Sequence, residues 1–451
     1  MRKHFAQVQF LRGCTTFLSV LLSIAGTAKA ESACTPHDDG VNPCPVEVRR
    51  SVIQPLSAMA QIGKAIFYDK ELSGSGKLSC ASCHDPHNHY APSDASPVFL
   101  GGQNLTSEGR RAVPTLTYLE RQPPFSIGPD DAVNEGEGPT ITAATAAGTP
   151  HGPKSATNTQ SSATNLVPQG GLFWDGRADT FQQQVHGPLY DPAEMASSPE
   201  KVIARLKSAP YGEMLKQLAG PAGEASPAFL LDEALFALSR YQIEEPSFHS
   251  YSSKFDRWLA GKETLSLREV QGYRLFNDPM KGNCAACHVD TVTRDHLPPV
   301  FTDHQYEALG APRNLLLSRT HDTSYYDLGV CDKQKDGRKT LADYCGMFAT
   351  PTLRNVATRK VFFHNGVFRS LEEVLDFYVL RDLQPEKFYS KDAHGHVKLY
   401  DDIPAQYKKN VDVSDAPFDR RPGDKPALSE EERGAIVEFL KTLTDDEKVK
   451  P

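Results

Sequence analysis

No stretch of this chain alternates apolar and polar residues long enough to read as a useful strand, so a β-rich fold is excluded and helix and loop remain. Basic charge is not in excess either: 49 lysines and arginines stand against 57 acids, a formal net charge of −8. Without Arg2, Lys3, Arg12 and Lys29 of the first 30 residues, 45 bases remain against the same 57 acids, a net of −12. That balance argues against nucleic acid as a partner and suits docking to a basic electron-carrier protein. Beyond residue 30 no apolar run is long enough to span a bilayer. Nor is the composition that of a disordered chain or a membrane bundle. Of 451 residues, 39% are hydrophobic and 24% charged, which allows two or three domains with cores of their own.

The apolar run at 17–25 follows a basic start and precedes Ala28-Lys29-Ala30, a small-x-small cleavage site. Residues 1–30 therefore read as an export signal, with an uncleaved anchor as the other reading, and the mature chain as a periplasmic protein. Nine cysteines are present. Cys14 falls in the signal and four others form two Cys-x-x-Cys pairs, which leaves Cys34, Cys44, Cys331 and Cys345. In an oxidising compartment the economical assignment is two local disulfides, Cys34–Cys44 and Cys331–Cys345, with other pairings open.

The chain is organised around Cys80-Ala81-Ser82-Cys83-His84 and its repeat, Cys284-Ala285-Ala286-Cys287-His288. Two cysteines so spaced can each form a thioether to a haem vinyl group, and the following histidine supplies an axial nitrogen. The repeat reaches upstream: Gly63-Lys64-Ala65-Ile66-Phe67-Tyr68-Asp69 is echoed by Gly272-Tyr273-Arg274-Leu275-Phe276-Asn277-Asp278. Duplicated context means two related modules. The alternative, a zinc site of two Cys-x-x-Cys knuckles, needs no histidine directly after each pair. Two covalently bound haem c groups are the expectation.

Apolar spacing predicts helices at 56–68, 180–185, 199–208, 211–219, 228–244, 255–259, 266–277 and 429–442, the last with Ser429 as N-cap. The segment 123–170 is rich in Gly, Pro, Ala, Ser and Thr and reads as a long mobile insertion. The expected fold is mainly α, with long loops and little β. A first haem domain covers 31–250 and a second covers 251–451.

With both Cys-x-x-Cys-His sites stand Gly109-Arg110-Arg111-Ala112-Val113-Pro114-Thr115, Phe173-Trp174-Asp175-Gly176-Arg177, Pro192-Ala193-Glu194-Met195, Pro351-Thr352-Leu353-Arg354-Asn355-Val356 and Phe363-His364-Asn365-Gly366. In these segments the chain resembles the bacterial dihaem cytochrome c peroxidases and their relative MauG. The resemblance implies two cytochrome c-like domains, a catalytic haem in the first and an electron-transfer haem in the second. It assigns Glu194, 20 residues after Trp174, as the carboxylate that moves a proton between the oxygens of hydrogen peroxide. Gln184 matches a second distal-pocket position, and Trp174 the tryptophan between the haems. Alone, Glu194 reads as an ordinary helix-start acid and Trp174 as core packing.

Three departures from the family bear on function. The neighbourhood of the family's capping histidine, Leu100-Gly101-Gly102-Gln103-Asn104-Leu105, holds no histidine, so haem 1 is expected open. The asparagine that binds the family's interdomain calcium is Ala112, which leaves backbone carbonyls and waters as donors. The methionine ligand of haem 2 is replaced by Lys360, and Phe362 stands where a tyrosine is used in MauG. The candidates for the sixth ligand of haem 2 are Lys360, then Met347. The readings left open are a peroxidase fed by a small cytochrome c or cupredoxin, a maturase that oxidises residues of a protein substrate, and a plain electron-transfer cytochrome. Relatives are often homodimers.

Overall fold

Most of the longer helices begin where a serine or threonine oxygen can satisfy a first-turn N–H. In the computed structural model, which describes residues 36, 38–50, 53–130, 166–332 and 341–446, Ser57, Thr180, Ser198, Ser226, Ser253, Ser266, Ser370 and Ser429 all cap in this way. The helices are α1 (Ala58–Tyr68), α2 (Cys80–Cys83), α3 (Phe181–Tyr190), α4 (Pro199–Ser208), α5 (Gly212–Ala225), α6 (Pro227–Glu244), α7 (Lys254–Leu259), α8 (Leu267–Asn277), α9 (Leu371–Leu380) and α10 (Glu430–Lys441). Three two-stranded antiparallel sheets accompany them. They pair β1 (Leu100–Gly101) with β2 (Ser107–Glu108), β3 (Ser126–Pro129) with β4 (Leu166–Gln169), and β5 (Tyr306–Glu307) with β6 (Phe348–Ala349).

The chain is thus mainly helical with little strand. The expected helices lie within a few residues of their bounds, except that α3 and α5 run on to Tyr190 and Ala225. The structure adds α9, which the apolar spacing read above does not include. The two ends of the 123–170 segment are paired as β3 and β4; its middle, and residues 1–30 read above as an export signal, lie outside the described residues. Cys331 and Cys345 form a disulfide. Cys44 is also disulfide-bonded, while Cys34 lies outside the described residues.

Two hydrophobic cores divide the chain. One is drawn from Ile62 to Phe248, the other from Phe255 to Leu443. Both are built on the same crossing: α1 packs on α6 in the first, α8 on α10 in the second. The repeated glycine makes each crossing possible. A Cβ on Gly63 would lie 1.9 Å from the Ala237 carbonyl oxygen and 2.9 Å from Tyr241 Cβ; on Gly272 it would lie 2.0 Å from Ala435 O and 2.9 Å from Phe439 Cβ. One turn on, Phe67 meets Tyr241 at 5.5 Å and Tyr90 at 5.8 Å between ring centroids; Phe276 meets Phe439 at 5.2 Å and Phe301 at 6.2 Å. The sequence echo is therefore an echo of packing.

In an exposed helix Gly→Ala would gain about 1 kcal/mol in propensity. Here the added methyl meets a backbone carbonyl, which cannot swing aside, and overpacking of this kind costs about 1–3 kcal/mol. Gly63→Ala and Gly272→Ala are each expected to lower stability to chemical denaturation by an amount in that range. Equal or raised stability in both variants would refute the close-crossing account.

Candidate functional site

Each Cys-x-x-Cys turn hands its histidine to a fixed acceptor. The His84 N–H bonds the Cys80 carbonyl at 2.9 Å, and its ring Nδ1 lies 3.1 Å from the carbonyl oxygen of Tyr90. In the repeat, the His288 N–H bonds Cys284 O at 2.8 Å and Nδ1 lies 3.0 Å from Phe301 O. A carbonyl can only accept, so Nδ1 carries the proton and donates, which leaves Nε2 with its lone pair for a metal. Burial keeps both rings neutral: it pushes the pKa of His84 down to about 4, and that of His288 down as well. The acceptor residues Tyr90 and Phe301 have φ of 54° and 56°, a conformation that costs a bulky residue about 1–3 kcal/mol. Packing holds them there. Tyr90 stacks on Phe248 at 3.7 Å and its hydroxyl meets Ser247 Oγ at 2.6 Å, while Phe301 abuts Phe255 at 5.2 Å.

Beside each turn is a cavity, of about 280 Å³ at the first and 190 Å³ at the second. Protein interiors hold few voids larger than a water, which needs about 10–15 Å³. The first cavity is lined by Cys80, Cys83, His84, Trp174, Gln184 and Glu194 among others; the second by Cys284, Cys287, His288, Trp174, His364 and Tyr378. At the second, His364 Nε2 is buried without a hydrogen-bond partner, 3.8 Å from Asp402, with the ring stacked at 3.5 Å on Phe348. Two attachment cysteines, a neutral histidine nitrogen and apolar walls fit a c-type haem at each cavity.

The residues singled out at the first haem come together. On α3, Phe181, Gln184, Val185 and Pro188 share the face that lines the cavity. The helix ends at Asp191, whose side chain accepts the Ala193 N–H at 2.8 Å, and the Glu194 N–H bonds Asp191 O at 3.0 Å. From the other side the Gly102 N–H donates to Glu194 O at 2.7 Å, so the turn carrying Glu194 is fixed at both faces. Trp174 lines both cavities, and its indole N–H donates to the Ala112 carbonyl at 2.8 Å. Ala112 has no side-chain oxygen and its carbonyl is used. Among the described residues no three or more His, Cys, Asp or Glu gather as a metal site.

Next to Trp174, Asp175 pairs with Arg111 at 2.7 Å and with Arg177 at 2.8 Å. Arg111 continues to Asp327, its Nε and Nη2 each 2.7 Å from a carboxylate oxygen. Arg110 reaches Asp332 and, at 3.4 Å, Asp327. This buried chain ties the first half of the molecule to the second.

The two candidates for haem 2's sixth ligand lie elsewhere. Lys360 is exposed, and Met347 packs with Tyr306, Ala308 and Val330; neither lines either cavity. In their place the second cavity is lined by Leu371, Val374, Leu375 and Tyr378, one face of α9. The Tyr378 hydroxyl has no hydrogen bond among the described residues. Burial, the first of the causes, holds the phenol far above its ordinary pKa. Sequence reasoning missed this residue because it missed α9, although Ser370-x-x-Glu373 is a helix-start signal. It also missed His304 and Arg359, which come from the second half of the chain to line the first cavity; His304 Nδ1 lies 2.7 Å from Gln122 Oε1.

Comparison with known proteins agrees with this architecture. Residues 57–264 match the family model described as di-haem cytochrome c peroxidase. The crystal structure of the diheme peroxidase BthA from Burkholderia thailandensis is 32% identical, covers 90% of each chain and superposes with a TM-score of 0.75. The methylamine utilization protein MauG of Paracoccus denitrificans is 28% identical over 443 residues, 96% of this chain and 95% of its own. Cytochrome c551 peroxidase of Nitrosomonas europaea is 26% identical over 362 residues, 79% and 82% of the two chains.

The Arg111 pairs carry a pH dependence. Although burial opposes it, the charge of Arg111 and its hydrogen bonds hold the Asp327 carboxyl far below its usual pKa. A group depressed in the folded state stabilises fully above its unfolded pKa, near ~3.9, and that contribution is lost as pH falls below it. Asp327→Asn leaves Arg111 short of one buried partner, a change that costs about 3–5 kcal/mol. Denaturation curves at neutral pH are expected to show that loss. Between about pH 4 and pH 2 the variant's stability is expected to fall less steeply than the wild type's. Parallel curves for the two proteins would refute the assignment.

Proposed function

The chain belongs to the di-haem cytochrome c peroxidase family, and from that premise we propose that it reduces hydrogen peroxide in the periplasm at a haem tethered to Cys80 and Cys83. Electrons come from a small donor protein, a cytochrome c or a cupredoxin, through a second haem tethered to Cys284 and Cys287. The observation that carries this reading is that His84, Gln184 and Glu194 line one cavity, while Trp174 lines that cavity and the next.

Bound haem supplies iron with a free coordination position at the first site and a one-electron carrier at the second. Glu194 takes the proton from one peroxide oxygen and delivers it to the other, so that the O–O bond breaks with water as leaving group. Gln184 donates an amide N–H to the oxygen that stays. Two electrons and two protons in all turn one peroxide into two waters. Trp174 passes the electrons between the sites. Its N–H is held by the carbonyl of Ala112, too weak a base to take the indole proton, so the ring can be oxidised and restored without losing it.

A second reading, oxidation of residues of a partner protein, is favoured by one observation. None of residues 100–105 lines the first cavity, and among the described residues the histidines that do are His84, held by Tyr90, and His304, turned to Gln122. On this basis haem 1 is open without prior reduction and able to accept peroxide before any electron donor arrives. Stoichiometric peroxide distinguishes the two readings. Rapid consumption only with a reduced small cytochrome supports the peroxidase; a long-lived oxidised state that decays on adding a protein substrate supports the other. Glu194→Gln is expected to lower peroxide turnover by about 10²–10⁴-fold with both haems still attached. An unchanged rate would remove Glu194 from the mechanism.

For the sixth position of haem 2 we propose Tyr378. A buried phenol loses its proton to water only where a strong local positive charge stabilises the phenolate, as a ferric iron held there would. Tyr378→Phe is expected to change the optical and EPR signals of haem 2 while leaving those of haem 1 in place. Identical spectra in the variant would exclude Tyr378 as ligand.

A further inference from the structure

Four arginines line the first cavity: Arg110, Arg111, Arg177 and Arg359. Three are matched by carboxylates. Arg110 meets Asp332 and Asp327, Arg111 meets Asp327 and Asp175, and Arg177 meets Asp175 while lying 3.4 Å over the Phe173 ring. Arg359 has no ion pair among the described residues. Its one side-chain hydrogen bond among the described residues runs from Nη2 to the carbonyl oxygen of Val113, at 3.1 Å. Burial alone brings its pKa down to about 10, with no acid to oppose the fall, and its charge bears on the ring of His84.

A desolvated guanidinium without an anion is costly, and structures that hold one supply the anion from a ligand. The protein supplies none here. Haem carries two propionates, and a planar fork of N–H donors matches a carboxylate. From the unmatched guanidinium on the cavity wall beside Val113 and His84, we propose that Arg359 binds a propionate of haem 1 and raises the reduction potential of that haem. The residue is a positioning and tuning residue, not one that touches peroxide. It comes from the second half of the chain, so the haem tethered in the first half is held in part by the other. The inference rests on the reading that Cys80 and Cys83 carry haem, and deepens it.

The sign of the effect follows from charge. Removing a cation from beside a haem favours the ferric over the ferrous state and lowers the midpoint potential. Haem content of the wild-type protein is measured first by the pyridine haemochrome assay; fewer than two haems per chain would overturn the tether on which this rests. Potentiometric titration then follows both haems in Arg359→Gln and Arg359→Lys. The expected result is a downward shift of haem 1 in Arg359→Gln, a smaller one in Arg359→Lys, and no shift of haem 2. No shift of haem 1, or equal shifts of both haems, would overturn the proposal. Should Arg359→Gln fail to accumulate, the propionate bending band of haem 1 in the resonance Raman spectrum of Arg359→Lys is decisive. It must differ from the wild type's, and an unchanged band would overturn the assignment.

Discussion

The guanidinium of Arg111 lies between two carboxylates, Asp175 from the loop that carries Trp174 and Asp327 from the other half of the chain. Burying three charges for stability alone is a poor bargain, since well-packed apolar residues of the same volume often do as well or better. What apolar packing would not fix is the rotation of the Trp174 loop against the second half of the chain. A bidentate pair does so, because both N–H bonds to Asp327 must be kept at once. The Ala349 N–H adds a bond to Trp174 O at 3.0 Å, and Ala349 itself lines both cavities. The tryptophan between the two sites is thus held by its indole, its backbone and its neighbouring carboxylate.

Around that fixed point the two halves repeat one device and diverge in chemistry. Glycine at the helix crossing, an aromatic one turn later and an aromatic at positive φ that accepts from the proximal histidine are common to both. The walls opposite differ. The first receives α3 and the turn at Glu194, which bring an amide and a carboxylate; the second receives α9, which brings three aliphatic side chains and a phenol. Duplication accounts for the attachment of two similar groups. On the proposed reading, divergence of the facing wall suits one site to peroxide and the other to electron carriage.

How much of this was legible in the sequence depends on whether a residue's position follows from local rules. The Cys-x-x-Cys-His turns, the repeated Gly63 and Gly272 and the serine caps act through neighbours a few residues away, and a pattern reading finds them. Glu194 and Gln184 were reachable only by their spacing from Trp174, and they do meet at one cavity. The far wall of haem 2 was not reachable. Counting back from His364 led to Lys360, yet the chain there leaves a short 3-10 turn at 356–358, entered from Asn355 at φ 59°, and runs on extended from Arg359. Successive side chains in extended backbone point opposite ways. Arg359 therefore faces the first cavity, Lys360 faces solvent, and Val361 turns back inside at 3% exposure. One residue of register separated a proposed iron ligand from a cation beside the other haem, and no spacing rule carries that information.

On the proposed reading, charge around the two cavities bears on the direction of electron flow. Among the described residues the second is lined by Glu307, Asp327, Asp402, Asp412 and Asp415 and by no arginine or lysine; the first is lined by Asp191, Glu194 and four arginines, of which only Arg359 has no carboxylate partner. Carboxylates near a metal favour its oxidised form and cations its reduced form, more strongly where water is excluded. Asp327 is largely neutralised by Arg111, and Asp402 lies 3.5 Å from Arg313, so their shares are small. On the proposed reading a phenolate at Tyr378 acts in the same sense as the acids, and Arg359 in the opposite sense at the first haem. Electrons are then released at the second site and drawn to the first, across a tryptophan that lines both. That is the direction in which peroxide reduction needs them to run, and also the one that would let the second site share an oxidising equivalent generated at the first.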